Sequence, residues 1–360
     1  MLPQGFQQSP RSLISVVIVN WNRRELLNCC LRSLAREQGA EFEIIVVDNG
    51  STDGSRELVK AFMGGPREIR LIANPDNRGF CEANNQGIAA ARGEFIALLN
   101  NDAEAEPLWL AHLLDAFTNP TIGMAASKIL VWREPGAVGP PMIDKVGHLI
   151  YPDGQNRGRG SGELDLGQYD AIEETLWPDG CACMYRKAML DEIGVFDEDL
   201  FAYGDDADLG LRARIAGWGS LYMPKAVVWH HRGSSLGKQN PKRLTLIERN
   251  RVLLAVKLFP GSLLCLNGAY YIARIVAGAL AAVRNRGEIG QFSSPWMKLQ
   301  AAAAVMLGDL QALMMLPRTL RKRRQILARR KLSTSETRRL LQRFRIPLRQ
   351  LTDQSASLPR

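Results

Sequence analysis

"ISVVIVN" (14–20) and "FEIIVVDN" (42–49) are runs of β-branched and apolar residues that show no alternation and end in polar side chains. A strand that is apolar at nearly every position must be covered on both faces, a condition met by parallel sheets with helices on each side. Between the two runs, "RRELLNCCLRSLAREQ" places Leu27, Leu31 and Leu34 at helical intervals behind Asn22, a candidate N-cap. A second helix is expected from Ser55, a short strand at 69–73 and a third helix over "CEANNQGIAAARG". A fourth strand in 94–102 again breaks into polar residues. This βαβαβαβ series predicts an α/β fold built on a doubly wound, mostly parallel sheet.

In such sheets ligands lie beyond the carboxyl ends of the strands. Here those ends carry Asn20, Asp48, Asn49, Asn100 and Asp102. Asn and Asp also favour turns, so one polar strand end says little, whereas their repetition at successive ends points to a nucleotide site. In "VVDNGSTDGS" (46–55), Asp48 leaves the strand, Gly50 permits a tight turn and Asp53 precedes a helix start. Carboxylates so placed can accept from a base imide or a ribose hydroxyl. No G-x-G-x-x-G follows the first strand and no G-x-x-x-x-G-K-[ST] occurs, which disfavours dinucleotide and P-loop binding. Asn100 and Asp102, two apart beyond a strand, offer oxygen to a hard cation.

Composition bears on what lies around that sheet. The 360 residues are 46% hydrophobic and 23% charged, which excludes wholesale disorder. The net charge is +9, yet six carboxylates crowd between Asp197 and Asp208 in "FDEDLFAYGDDADLGLRARIAGW" (196–218). Much of the base lies after Arg318 and reads as a patch for an anionic surface. It lacks interleaved aromatics, so membrane phosphates are favoured over nucleic acid. The six cysteines match neither a disulfide framework nor a zinc site, and the N-terminus lacks the features of a secretory signal, so a cytoplasmic location is expected.

Gly and Pro crowd 135–168, expected to form long loops around a short strand near 148–151. After Asn240 the chain becomes helical, apolar and poor in acid. The segment "SLLCLNGAYYIARIVAGALAAV" approaches transmembrane length, but Asn267 and Arg274 interrupt it. Helices lying in the membrane interface, assisted by the basic tail, are favoured over a true span. The expected organisation is a flexible 1–11, a catalytic domain at 12–240, a helical, basic, membrane-interface region at 241–345 and a flexible tail at 346–360.

Seven stretches then occur in a telling order: "SVVIVNWN", "VVDNGSTDGS", "NRGFCEANNQGI", "LLNNDAE", "WPDGCACMYRK", "FDEDLFAYGDDADLGLRARIAGW" and "AVVWHHRGSS". Over residues 12–235, and more loosely to "ERNRVLL" (248–254), the chain resembles family 2 glycosyltransferases of the GT-A fold. It is most similar to the rhamnosyltransferase-like branch of bacterial surface-polysaccharide synthesis. The resemblance implies that Asn20, Trp21, Asp48, Asn49 and Asp53 border the donor nucleotide. It implies that Asn77, Gly79, Phe80 and Asn84 shape the wall near the diphosphate and sugar. Asn100 and Asp102 stand where the family has its D-x-D motif; only Asp102 keeps the acid, leaving Asn100 to the ribose or a metal-bound water. His230 would complete a divalent metal site for Mg2+ or Mn2+ with Asp102, and His231 would be a surface residue. Asp206 matches the base of inverting members, at a helix N-terminus whose dipole favours a carboxylate. Asp205, Trp177, Asp179 and Tyr203 fall on the acceptor side, Trp177 being equally readable as a loop anchor. Asp208 would cap the helix or pair with Arg212, and Asp197, Glu198 and Asp199 would form the delivering turn.

The implied activity is metal-dependent, inverting transfer of one sugar, rhamnose favoured, from a dTDP or UDP donor. The implied acceptor is a hydroxyl of a lipid-linked or other glycan, at the inner face of the cell membrane. A UDP-hexose donor and an inactive scaffold with this fold are the alternatives. The Q-x-x-R-W motif of processive synthases is absent.

Overall fold

The computed structural model describes residues 12–232, 240–284, 292 and 294–352. The expected flexible N-terminus and most of the expected flexible tail, 353–360, lie outside the described residues, as does the end of the "HHRGSS" motif. The first half alternates as its sequence predicts: β1 (Ile14–Asn20), α1 (Arg24–Ala35), β2 (Phe42–Asn49), α2 (Ser55–Phe62), β3 (Ile69–Asn74), α3 (Gly79–Ala90) and β4 (Phe95–Leu99). These strands are parallel, and the register from Ile14↔Phe42 to Asn20↔Asp48 sets Asn20 and Asp48 side by side at the carboxyl edge. Val17, Ile45 and Val47 enter one apolar layer and Ile14, Val16, Ile18, Ile44 and Val46 the other. That double burial is why the strands carry no polar alternation.

The second half comprises β5 (Ala103–Ala105), α4 (Trp109–Leu114), β6 (Ile122–Val131), β7 (Ile143–Lys145), β8 (His148–Ile150), β9 (Asn156–Gly158), β10 (Glu173–Glu174), β11 (Ala182–Arg186), α5 (Lys187–Ile193), α6 (Asp205–Ile215) and β12 (Gly219–His230). The main sheet runs β10-β12-β6-β11-β4-β1-β2-β3, with β5 on β12 and β7 on β6. The short β5, β7 and β10 pair antiparallel with their neighbours, and one strand inside the sheet also departs from the parallel pattern. β11 is antiparallel to both β4 and β6. The chain leaves β6 at the carboxyl edge, makes the β7–β9 excursion across it and re-enters downward, so the residues before β11 are delivered to the ligand edge. β12 runs parallel to β6 and ends there with His230 opposite Ala103, beside Asp102.

Among the described residues five helices follow: α7 (Pro241–Leu258), α8 (Gly261–Val283), α9 (Pro295–Ala328), α10 (Thr334–Arg343) and α11 (Leu348–Thr352). α7 opens with Pro at its start and Asn240 accepting from the Lys242 N–H. Leu253, Leu254, Ala255 and Leu258 of α7 join the same apolar cluster as Leu209 and Leu211 of α6, and Leu340, Leu341 and Phe344 return to it. A Cβ at Gly308 of α9 would lie 2.6 Å from the Thr245 carbonyl, so the two helices touch backbone to backbone.

Helices α8 and α9 are both long and apolar enough to cross a membrane by length and composition. The residues that interrupt α8 lie on its protein-facing side. Arg274 pairs with the buried Asp153 and Glu248, Tyr271 donates to Asp309 at 2.6 Å and Asn267 to the Pro152 carbonyl. Leu266, Ile272, Val276, Leu280 and Val283 are exposed.

Candidate active site

At the carboxyl edge of β1–β3, short polar side chains tie successive loops together. Asn20 donates to Asp48 Oδ2 (3.3 Å) and Ser51 Oγ (3.2 Å), and accepts from Asn101 (2.7 Å). Asp48, buried, also accepts from Arg56 Nε at 2.6 Å and the Ser51 N–H. Asn49 donates to the Gly79 carbonyl (3.0 Å) and Asn77, and accepts from Asn74. Gly79 stands at φ 81°, where a Cβ would meet the Phe201 ring at 2.5 Å, so glycine alone fits. Trp21 and Phe80 are half-buried at this rim, while Asn84 is buried and donates to the Phe80 carbonyl within α3.

One expectation changes here. Asn22 does not cap α1: it sits at φ 49° and accepts from the Thr52 N–H. The cap comes from Asp53, which accepts from the Arg24 N–H (2.8 Å) with one oxygen and from Ser55 with the other. Asp53 therefore clamps the β1–α1 and β2–α2 loops together, since both of its oxygens are engaged.

The second group lies one strand over. Asp102 Oδ1 is 3.3 Å from His230 Nε2, and His230 Nδ1 is 2.6 Å from Asp144 Oδ2. Asp144 is buried and also pairs with Arg232. Burial opposes a charge on His230, but Cys181 and the bonds to Asp102 and Asp144 outweigh it and lift the imidazole well above its usual range. Burial likewise opposes ionisation of Asp102, yet His230 holds it below the usual carboxylate range. The donor set fits a divalent cation: a carboxylate and an imidazole face each other, and Asp144 on Nδ1 leaves Nε2 as the presented nitrogen. Asn100 is half-buried at the turn before Asp102. The His231 ring stacks on Trp132 and meets Glu104 at 2.8 Å, while its backbone N–H donates to the Asp102 carbonyl.

The acids of α6 form the third group. Asp206 accepts from the Ala207 N–H with Oδ1 (2.8 Å), and its Oδ2 lies 3.3 Å from His148 Nε2. The same nitrogen is 2.8 Å from Asp179 Oδ2, which Lys145 Nζ meets at 2.5 Å. Burial pushes Asp206 up, partly countered by His148; burial and the charge of Asp206 push Asp205 up to about 8. Asp179 is held well below the usual range: burial opposes this, but Lys145 and His148 prevail. His148, Asp179 and Asp206 bring one donor atom each within 4.8 Å. The Lys145 ammonium already supplies the positive charge a cation would bring there, so this reads as an acid–imidazole cluster. Trp177, expected on the acceptor side or as an anchor, is fully buried; it stacks on His148 at 5.7 Å and backs onto Gly210. It can touch a ligand only through the imidazole it supports. Tyr203, at φ 70°, lies under Arg243 two residues before Asp205.

Asp144, Lys145 and His148 escaped the sequence reading. They come from the β7–β8 segment, whose strands are three residues each and carry no periodicity. The Gly- and Pro-rich stretch around them was the available signal.

Residues 15–194, half of the chain, match the model of glycosyl transferase family 2. Over 239 residues the chain is 29% identical to the uncharacterized protein y4gI of Sinorhizobium fredii, covering 63% of this chain and 25% of that one. Over 262 residues it is 29% identical to an N-acetylglucosaminyl-diphospho-decaprenol L-rhamnosyltransferase of Mycobacterium tuberculosis, covering 64% of this chain and 80% of that one. The chain thus spans a quarter of the first relative and most of the second. The crystal structure of GalNAc-T7 with UDP, GalNAc and Mn2+ matches with a TM-score of 0.52 at 16% identity, over 69% of this chain and 51% of that one, a likeness of fold. Fold and family match agree: the chain belongs to glycosyl transferase family 2, on a GT-A fold.

Proposed function

We propose that the protein is a metal-dependent, inverting glycosyltransferase that moves one sugar, rhamnose, from a dTDP or UDP donor to a hydroxyl of a lipid-linked glycan. The observation that carries the reading is Asp206. It is a carboxylate at a helix start, nearly buried, held by the Ala207 N–H and His148, with its proton affinity raised toward that of a useful base. Asp206 takes the acceptor hydroxyl proton as that oxygen bonds the anomeric carbon, and the bond from that carbon to the nucleoside diphosphate breaks with its electron pair leaving on phosphate. Asp205, holding its own proton, orients the acceptor with Asp179 and Tyr203. Asn20, Trp21, Asp48 and Asn49 border the nucleotide; Asn77, Gly79 and Phe80, backed by Asn84, wall the sugar; and Asn100 faces the ribose. Asp102 and His230 would hold Mg2+ or Mn2+, which when bound offsets the charge of the departing diphosphate.

Rhamnose and a diphospho-lipid acceptor are favoured by what the mycobacterial relative's name states it uses. The exposed apolar faces of α8 and α9 suit work at the cytoplasmic membrane surface. The test is Asp206→Asn assayed for sugar transfer, with dTDP and UDP binding followed by calorimetry with and without Mn2+. Transfer is expected to vanish while nucleotide binding persists; full transfer by that variant would overturn the assignment. A donor screen on the parent protein decides between dTDP-rhamnose and UDP-hexoses, and turnover of neither class would favour the inactive scaffold.

A further inference from the structure

The loop that opens α6 is strained and is held by α7. Phe201, Tyr203 and Gly204 have φ of 64°, 70° and 73°. Two of the three are bulky aromatics, for which the left-handed region is costly, and such conformations persist only where surroundings impose them. The surroundings here are two consecutive residues of α7. Asn250 Nδ2 lies 3.0, 2.9 and 2.7 Å from the carbonyl oxygens of Leu200, Ala202 and Tyr203. Arg249 Nη2 donates to the Asp199 and Leu200 carbonyls at 3.1 and 2.8 Å, and its Nε donates to Asn250 Oδ1 at 2.9 Å. That last bond fixes which way the Asn250 amide points, since only its oxygen can accept.

The other side of the loop reaches the donor wall. The Phe201 carbonyl accepts from the Phe80 and Cys81 N–H groups at the start of α3, and its ring covers Gly79. The Gly204 carbonyl accepts from the Asp208 N–H in the first turn of α6, the turn that carries Asp205 and Asp206. One short strained loop thus joins the donor wall to the base, and Asn250 is its chief external holder.

We propose that Asn250, oriented by Arg249, is a positioning residue for sugar transfer: it pins the Leu200, Ala202 and Tyr203 carbonyls so that Asp206 and Tyr203 meet the acceptor in register with the donor. It touches no reacting atom and acts through the loop. The inference rests on the reading of Asp206 as the base. It makes α7, expected from its sequence to belong to the membrane-interface region, part of the catalytic machinery.

The experiment uses full-length protein carrying Asn250→Ala, Asn250→Asp or Asn250→Ser, assayed with the nucleotide sugar the parent turns over. Asp is nearly isosteric but cannot donate to carbonyls, whereas Ser keeps one donor. The expected result is a fall in kcat of about tenfold or more in Ala and Asp, as misplacement of a catalytic group by about 1 Å produces. Ser should fall between them and the parent; calorimetric affinity for dTDP and UDP should stay near the parent value, and the unfolding midpoint should fall only modestly as the loop carbonyls lose a buried donor. Parent-like kcat in Ala and Asp overturns the proposal. So does a kcat loss matched by equal losses of nucleotide affinity and thermal stability, the signature of a general structural role. If Asn250→Ala fails to fold, Asn250→Ser is judged by the same criteria. An inert Asp206→Asn beside fully active Asn250 variants would sink this inference alone; an active Asp206→Asn would sink the reading beneath it.

Discussion

Asp205 and Asp206 are neighbours in the chain, yet their surroundings give them different proton affinities. Burial raises both, but Asp206 faces His148 and Lys145, whereas Asp205 faces mainly the negative charge of Asp206. A base must be ionised to accept a proton, so transfer should be lost as pH falls, at a pH above the ordinary carboxylate range; a kcat/KM profile from pH 4 to pH 9 checks this. Asp205 makes a second prediction. Its folded pKa, about 8, lies above the usual 3.8, so its contribution to stability is full below the lower value and is lost as pH rises through the higher. Asp205→Asn, which mimics the protonated form, should match the parent near pH 4 and exceed it by about 1 kcal/mol or more at pH 8, read from unfolding midpoints. Asp102, Asp206 and His230 were visible in the sequence because each sits inside a motif at a strand end or helix start. Asp144, Lys145 and His148 were not: what places them is a chain crossing over the sheet edge, which no local spacing records. Asp53 carries a role its motif does not record, since its oxygens also join the loops before α1 and α2.

Among the elements, the parallel half was legible because burial on both faces leaves an unbroken apolar signature, and the predicted bounds of β1 and β2 match those observed. The reversal of β11 was not, since a five-residue buried strand reads the same in either direction. α7 is expected from its sequence to open a membrane-interface region; it packs mainly along α9 and also reaches α6. The α7–α9 contact depends on Gly308, whose missing side chain lets the helices meet; a Cβ would lie 2.6 Å from the Thr245 carbonyl and 3.0 Å from the Arg249 nitrogen. Backbone cannot yield as a side-chain tip can. Gly308→Ala should therefore lower stability by about 1–3 kcal/mol despite Ala's better helix propensity, measurable by denaturant unfolding.

At the scale of the whole molecule, the basic tail is expected from its sequence to face an anionic surface, yet its first residues meet the acid-rich stretch. Lys322 of α9 pairs with Asp197 and Asp199, Arg318 pairs with Asp199, and the buried Lys257 bridges Asp197 and Asp208. Part of the net positive charge therefore latches the helical region onto the turn leading to the loop that opens α6. The apolar faces of the long helices point elsewhere, with Ile272 and Val276 exposed on α8 and Trp296, Leu310 and Leu313 on α9. A spanning α8 would have to carry Arg274 into hydrocarbon or break its pairs with buried Asp153 and Glu248, and leaving such charges unpaired costs about 3–5 kcal/mol. A helix lying in the interface keeps the pairs and still buries the opposite face. The protein should accordingly bind vesicles containing anionic lipid in a salt-sensitive manner and be released by an alkaline carbonate wash, whereas a spanning protein would stay with the lipid. Ile272→Asp with Leu313→Asp changes two exposed positions, so the unfolding midpoint should hold while vesicle binding weakens at least tenfold. Transfer to a lipid-linked acceptor in vesicles should fall with it, and transfer to a short water-soluble acceptor should not. Equal loss on both acceptors would mean that these faces support the fold rather than the membrane.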